Sequence, residues 1–185
     1  MPPDTEYQVS ATYLAANLSA IRQLGHYEAM LAELPPALHP AAESPSSRSW
    51  WPGAVNEQLL RALATAKGDA VVEEVGFLSI QNSIGPIVMP LLKVLLALTG
   101  SDPGTIFSRV GLLSSSSARG VKPTWKLVEP TLGELAIAYP EKIDPILGTL
   151  WHGGLRCGLA MLKRDGMITT RLIGQRSLSF LISWQ

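Results

Sequence analysis

Cysteine is almost absent from this sequence. Cys157 is the single cysteine among 185 residues, so neither an intrachain disulfide nor a cysteine-rich zinc site can form. The N-terminal residues Met1–Glu6 combine prolines with acidic side chains, whereas a secretory signal begins with basic residues followed by an apolar run. We therefore expect a cytoplasmic protein.

Long apolar runs and an excess of charge are absent as well. The most apolar stretch, Ile84–Leu98, is interrupted by Pro86, Pro90 and Lys93 and is shorter than the roughly 20 residues that cross a bilayer. We predict a buried helix there and no membrane span. Basic and acidic side chains number 15 each, and the basic ones are scattered without interleaved aromatics, which excludes a nucleic-acid-binding surface. Hydrophobic residues make up 46% of the chain, enough for one globular domain over residues 1–185.

The motifs of the common enzyme classes are missing too. G-x-S-x-G, G-x-x-x-x-G-K-[ST], G-x-G-x-x-G and H-E-x-x-H do not occur, so the catalytic residues of any activity stay unknown. Glu73 and Glu74 are adjacent carboxylates, but no E-x-x-H accompanies them. We interpret them as solvated charges and predict no metal site.

Helical periodicity dominates residues 1–120. Leucine spacing and capping residues predict helices over 11–24, 27–34, 55–66, 70–82, from 86 or 90 to 99, and 105–117. Residues 35–53 are rich in proline and serine, and we predict a loop. The Trp50-Trp51 pair at its end is expected to pin this loop onto the core.

From residue 121 the periodicity becomes that of strands around one helix. Apolar side chains at every second position predict strands over 124–128, 135–139, 167–173 and 177–184, and residues 143–164 have helical periodicity. We therefore predict an α+β fold, in which a helical N-terminal layer packs on a small antiparallel ββαββ unit over 121–185. Leu178, Phe180 and Ile182 should face the core.

His152 is the strongest candidate for a binding residue. It lies in the segment WHGGLRCG at 151–158, whose glycines cost about 1 kcal/mol each inside a helix and so need a packing reason or a ligand reason. Both reasons stay open, and packing on the sheet or on a second subunit is the simpler one. His152 and Arg156 share a helix face, where an anion or a carboxylate could bridge them. Cys157 is about 140° around the helix from His152, which argues against a catalytic dyad.

The C-terminal features occur in a familiar order. The segments Tyr139-Pro140, Leu150–Leu155 with Gly158, and Phe180–Trp184 resemble the ββαββ core of the haem-NO-binding-like superfamily, which includes the vinyl reductase small-molecule-binding domains. Over most of the chain a closer resemblance, to the myxobacterial family DUF2378, is carried by Leu34-Pro35, Trp50–Pro52, Leu59–Leu63, Gly68-Asp69, Asp102-Pro103 and Arg119-Gly120. The Tyr-x-Ser-x-Arg signature with which haem-nitric-oxide sensors hold the haem propionates is absent. The cysteines that vinyl reductase domains place near their last strands are absent too.

This resemblance implies a bacterial, non-catalytic module that binds or senses a small apolar molecule between helices and sheet, often as a homodimer. It leaves the cofactor unknown, with haem possible but supported by no motif. The charge division also favours self-association or a protein partner, since residues 1–100 carry 5 basic and 9 acidic side chains and residues 101–185 carry 10 and 6. The residues that we expect to line the ligand site are His152, Trp151, Arg156, Trp125 and Tyr139.

Two alternatives to a binding module stay open. The first is an enzyme acting on a small apolar substrate, through haem at His152 or through an acid–base pair of His152 with Glu134 or Asp144. The second is a structural adaptor that works through protein contacts, which the division of charge between the halves would suit.

Overall fold

A computed structural model describes residues 6–83 and 102–185. The helix predicted over Ile84–Leu98 lies outside the described residues. In chain order the elements are β1 (Gln8–Ser10), α1 (Ala11–Gln23), α2 (Tyr27–Glu33), α3 (His39–Glu43), β2 (Trp50–Pro52), α4 (Gly53–Lys67), α5 (Asp69–Ser83), α6 (Pro103–Phe107), α7 (Val110–Ser114), β3 (Ala118–Arg119), β4 (Lys122–Glu129), β5 (Leu132–Ala138), α8 (Ile146–Met161), β6 (Gly166–Ile173) and β7 (Ser177–Trp184). The strands form a three-stranded antiparallel sheet of order β2-β1-β3 and a four-stranded antiparallel sheet of order β4-β5-β7-β6.

The four-stranded sheet carries the core of the C-terminal unit. Its inner face presents the almost fully buried side chains Leu135, Ile137, Leu178, Phe180 and Ile182. Helix α8 packs on this face, where Gly148 lies beside Ile173 and Leu178. The predicted α+β class, the ββαββ order and the inward side of β7 are confirmed.

Helices α5 and α8 are in direct backbone contact. A Cβ placed on Gly76 would lie 3.0 Å from the Leu150 carbonyl carbon and 3.2 Å from the Gly154 nitrogen. A Cβ placed on Gly153 would lie 2.8 Å from the Glu73 carbonyl carbon. We call Gly76 and Gly153 the glycine seam, since only hydrogen at these two positions lets the two backbones approach so closely.

The N-terminal layer is joined by polar side chains as well as by leucines. Ser10 caps α1, its Oγ accepting from the Tyr13 N–H at 3.2 Å. The Asn17 side chain on α1 donates to Asn56 Oδ1 on α4 at 2.9 Å, and both side chains are buried. No helix among the described residues is long and apolar enough to span a membrane.

The structure corrects two of the predicted segments. Residues 35–53 are not a plain loop, because they contain α3, 3-10 turns at Pro36–Leu38 and Pro45–Ser47, and β2. Prolines at the first positions of these turns begin them rather than prevent them. The predicted helix over 105–117 is divided into α6 and α7. Trp51 does pin the segment, since it is buried and its Nε1 donates to the Pro45 carbonyl at 2.7 Å.

Candidate functional site

Glu73 connects two of the residues predicted to line the site. It projects from α5 to α8, where its Oε1 lies 3.2 Å from His152 Nδ1 and accepts a hydrogen bond from the Arg156 guanidinium. Arg156 also lies 3.4 Å from a carboxylate oxygen of Glu74. A carboxylate of the protein itself therefore lies between His152 and Arg156. The interpretation of Glu73 as a solvated charge is wrong, because its side chain is only 27% exposed and is paired with Arg156.

The second nitrogen of His152 is also engaged. Its Nε2 lies 3.2 Å from the Ile168 carbonyl oxygen on β6. The imidazole thus connects α8 to β6 through Nε2. Its Nδ1 is buried 3.2 Å from a Glu73 oxygen and has no hydrogen-bond partner among the described residues.

Trp151 and Tyr139 form a second group, on the side of α8 that faces β5. The Trp151 Nε1–H donates to the Tyr139 hydroxyl at 2.8 Å, and the Tyr139 ring packs edge-to-face on Tyr7 at 5.1 Å. Burial raises the pKa of Tyr139 and of Tyr7 well above the usual range and that of Tyr13 to about 12. These three phenols are therefore neutral hydrogen-bonding groups.

A small, partly open cavity lies beside Tyr139. Its volume is about 120 Å³, and it is lined by Gly120, Lys122, Ala138, Tyr139 and Pro140. The Lys122 ammonium forms no ion pair or hydrogen bond with another described residue. Of the five predicted lining residues, Tyr139 alone lines this cavity. Trp151 contacts Tyr139 through the hydrogen bond to its hydroxyl.

The turn that follows Tyr139 is held by carboxylates. Glu141 accepts from the Tyr7 N–H at 3.1 Å, and Glu57 on α4 accepts from the Asp144 N–H at 3.1 Å. Burial raises the pKa of Glu57 to about 7, and the charges of Asp144 and Glu141 add to this rise although the Asp144 N–H opposes it. Asp144 is paired with Arg61, whose hydrogen bond lowers the pKa of the Asp144 carboxyl despite burial.

Trp125 lies in a different part of the fold from the other predicted lining residues. Its ring centre is 5.3 Å from that of Phe107 and 6.2 Å from that of Trp184. Gly133 on β5 makes room for the indole, since a Cβ there would overlap it. Trp125 therefore belongs to an aromatic cluster at the α6 side of the sheet and is not brought to the Tyr139 cavity.

Neither acid–base pair of the enzyme alternative is assembled. Glu134 accepts from the Ser179 hydroxyl at 2.7 Å and lies 4.0 Å from Arg171, on the outer face of the sheet. Asp144 is held by Arg61. Among the described residues, neither carboxylate forms a hydrogen bond or ion pair with His152.

Metal-binding chemistry finds no support among residues 6–83 and 102–185, where no cluster of three histidine, cysteine or acidic side chains could hold an ion. Cys157 is buried, and burial raises the pKa of its thiol to about 11, so the thiol is protonated at neutral pH and is a poor nucleophile.

Comparison with known proteins identifies the fold. The Fe(II) unliganded H-NOX protein from K. algicida superposes with a TM-score of 0.68 at 11% sequence identity, over 95% of this chain and 96% of that chain. An oxygen-binding H-NOX domain related to soluble guanylate cyclases, in its oxygen complex, superposes with a TM-score of 0.61 at 10% identity over 95% of both chains. This chain has the H-NOX fold.

The H-NOX fold confirms the haem-NO-binding-like core that the sequence resembles. No family model matches the chain and no curated protein matches it, so membership of DUF2378 stays a prediction. The superpositions establish the H-NOX fold. At identities of 10–12% they transfer no ligand to this chain.

Haem is named in the descriptions of several H-NOX neighbours, and the buried donor side chains that the structure describes in this chain fit it poorly. Haem iron takes an axial histidine, cysteinate, methionine or tyrosine. His152 has its Nε2 3.2 Å from the Ile168 carbonyl oxygen and its Nδ1 3.2 Å from a Glu73 carboxylate oxygen, so protein groups lie at both ring nitrogens. His39 has its Nε2 3.1 Å from the Leu34 carbonyl oxygen. Cys157, Tyr7 and Tyr139 are buried among protein side chains.

The surroundings of Tyr139 are also unsuited to haem propionates. After Tyr139 the chain places Glu141 and Ile143, where Tyr-x-Ser-x-Arg would require serine and arginine. The cations of this region, Lys122 and Lys142, do not stand at the position of the signature's arginine.

Two features of the site escaped the sequence analysis. Glu73 is 83 residues from Arg156 in sequence, and no spacing rule connects them. Gly120 precedes β4 and Lys122 begins it. A turn glycine followed by a lysine is too common a pattern to indicate a cavity.

Proposed function

We propose that this chain is a regulatory module with the H-NOX fold that binds a small, mostly apolar molecule in the cavity beside Tyr139. The observation that carries the proposal is that Tyr139 lines the cavity while its hydroxyl is held by Trp151. A fixed tyrosine, the Pro140 ring and the Ala138 methyl supply an apolar lining. The Lys122 ammonium, which has no partner among the described residues, supplies one polar contact. Such a balance is typical of small-molecule sites.

The size of the cavity limits the ligand. Sites for drug-sized molecules measure about 300–1,000 Å³, whereas this cavity measures about 120 Å³. The proposed ligand is therefore a molecule of a few heavy atoms, or one end of a larger molecule that extends into solvent.

Ligand content of two leucine variants tests the proposal. Ala138→Leu adds bulk within the cavity lining, and Ala136→Leu adds the same bulk two residues earlier on the same face of β5, outside the lining. We expect mass spectrometry of the extracted purified protein to find a small molecule in the parent and in Ala136→Leu, and much less in Ala138→Leu. His152→Ala should retain the parent's ligand content, because His152 does not line the cavity.

Three outcomes would reject the proposal. These are a parent protein that carries no small molecule and is not stabilised by any compound of a fragment library, equal loss of ligand from the two leucine variants, and loss of ligand from a folded His152→Ala protein. Circular dichroism of each variant establishes that it is folded before its ligand content is compared.

The finer predictions from the sequence form part of this proposal. The chain is proposed to be one domain, cytoplasmic, non-catalytic, homodimeric and a member of DUF2378. Light scattering coupled to size exclusion measures the mass of the particle, and a monomer at micromolar concentration would reject the homodimer. The opposite charges of the two halves support self-association, which should then weaken with added salt.

A further inference from the structure

The contact between α5 and α8 leaves no interval for a planar group. A Cβ on Gly153 would lie 2.9 Å from the Phe77 nitrogen and 2.8 Å from the Glu73 carbonyl carbon, and one on Gly76 would lie 3.0 Å from the Leu150 carbonyl carbon. Cβ atoms in proteins essentially never lie that close to other heavy atoms. The two backbones are therefore in direct contact along the glycine seam. Even a methyl group is too large to fit between the helices at Gly76 and Gly153.

Side chains of both helices pack beside the seam. Glu73 accepts a hydrogen bond from Arg156, and its Oε1 lies 3.2 Å from His152 Nδ1. Elsewhere along the two helices the apolar side chains Val72, Val75, Leu150 and Leu155 are buried. The seam is therefore a packed helix–helix contact.

The opposite side of α8 is filled as well. Gly148 packs against Ile173 and Leu178, and Gly158 receives the Phe107 ring at 3.4 Å from the position of a Cβ. The sheet residues beneath α8 are almost fully buried. Among the described residues, α8 has protein against it on both the α5 side and the sheet side.

Together with the placement of the described donor side chains, this packing carries one conclusion: we propose that the chain is a haem-free form of the H-NOX fold, in which α5 and α8 pack directly on each other and leave no room for a cofactor between them. Residues 84–101 contain no histidine, cysteine or tyrosine, and Met89 is the one residue there of an axial-ligand type. His26, in the turn before α2, is the one described histidine with no ring nitrogen near a protein oxygen.

Haem titration of the full chain tests this inference. The protein is expressed in cells unable to make haem, purified, and titrated with hemin beside an apo-globin as positive control. We expect folded protein, no saturable one-to-one Soret band and no change in Tm, because a specific ligand raises Tm by mass action whereas adsorption to the surface does not saturate at one equivalent.

The opposing results are as sharp. A chain that is unfolded without haem would overturn the inference, and so would a stoichiometric complex that raises Tm by several degrees. If a complex forms, loss of its Soret band in His26→Ala, His152→Ala or Met89→Leu identifies the iron ligand. The Tyr139 cavity is judged separately by extracted small molecules, so failure of one idea leaves the other to its own measurement.

Discussion

Alanine at Gly153 perturbs the glycine seam by one methyl group. In a helix, alanine is favoured over glycine by about 1 kcal/mol, so the substitution stabilises the protein wherever space allows. At Gly153 there is no space, because the methyl would overlap the Glu73 carbonyl group and the Phe77 nitrogen. These are backbone atoms of a packed helix and cannot rotate away. Overpacking of this kind costs about 1–3 kcal/mol, and contact with backbone on two residues places Gly153→Ala at the upper end.

Gly158 supplies the matched control on the same helix. A Cβ there would lie 3.4 Å and 3.5 Å from two Phe107 ring atoms, which is an ordinary contact. Gly158→Ala should therefore gain most of the helix preference of about 1 kcal/mol without overpacking. The two variants should differ by about 3 kcal/mol in the free energy of unfolding, or roughly 6–12 °C in Tm for a chain of this size.

Thermal and urea unfolding of the two variants decide the matter. We expect Gly153→Ala to melt below the parent and Gly158→Ala to melt at or above it, with equal urea m-values. A Gly153→Ala protein as stable as Gly158→Ala would refute the backbone contact, and with it the packing half of the haem-free inference.

Three further predictions follow from burial. Phe180→Ala should lower the free energy of unfolding by about 3–5 kcal/mol in urea titrations, because the ring is fully buried on the inner face of the sheet. A loss below about 1 kcal/mol would contradict the core assignment. Glu57 has a folded-state pKa of about 7, raised above its unfolded value of about 4.5. Its ionisation in the unfolded chain should therefore reduce the free energy of unfolding as pH rises from about 4.5 to about 7. Glu57→Gln should remove this part of the pH profile, and parallel profiles for the two proteins would show the assignment to be wrong. Cys157, buried and with a thiol pKa of about 11, should not react with a thiol reagent at pH 8 until the protein is unfolded, and rapid labelling of the native protein would contradict its burial.

The sequence was most informative where the pattern is long and one face is buried. Strand β7 alternates over eight residues, and a shift of the register by one residue would turn Phe180 outward. The alternation therefore predicts which side of β7 faces the core. Ser179 shows the limit of that reasoning. The Ser179 side chain points away from the core, as the alternation requires, yet it is buried. Glu134 on the neighbouring strand covers it and accepts a hydrogen bond from its hydroxyl at 2.7 Å.

Short elements escaped the sequence analysis for a physical reason. Strands β1 and β3 have three and two residues, which is less than two periods of the alternation. They exist because β1 pairs with both β2 and β3. The same holds for residues 35–53, where single helical turns begin at prolines and carry no helical period.

By itself the sequence determined the α+β class, the ββαββ order and the buried side of β7, since these depend on local periodicity that every stable arrangement must respect. The tertiary structure alone decided what the candidate residues do. The carboxylate between His152 and Arg156 comes from Glu73, the glycines of α8 meet the backbone of α5, and Tyr139 rather than His152 lines the cavity. Local periodicity determines whether a side chain faces the core or solvent. Its contact partner is determined by the packing of distant segments, as with Glu73 and Arg156, which are 83 residues apart in the chain.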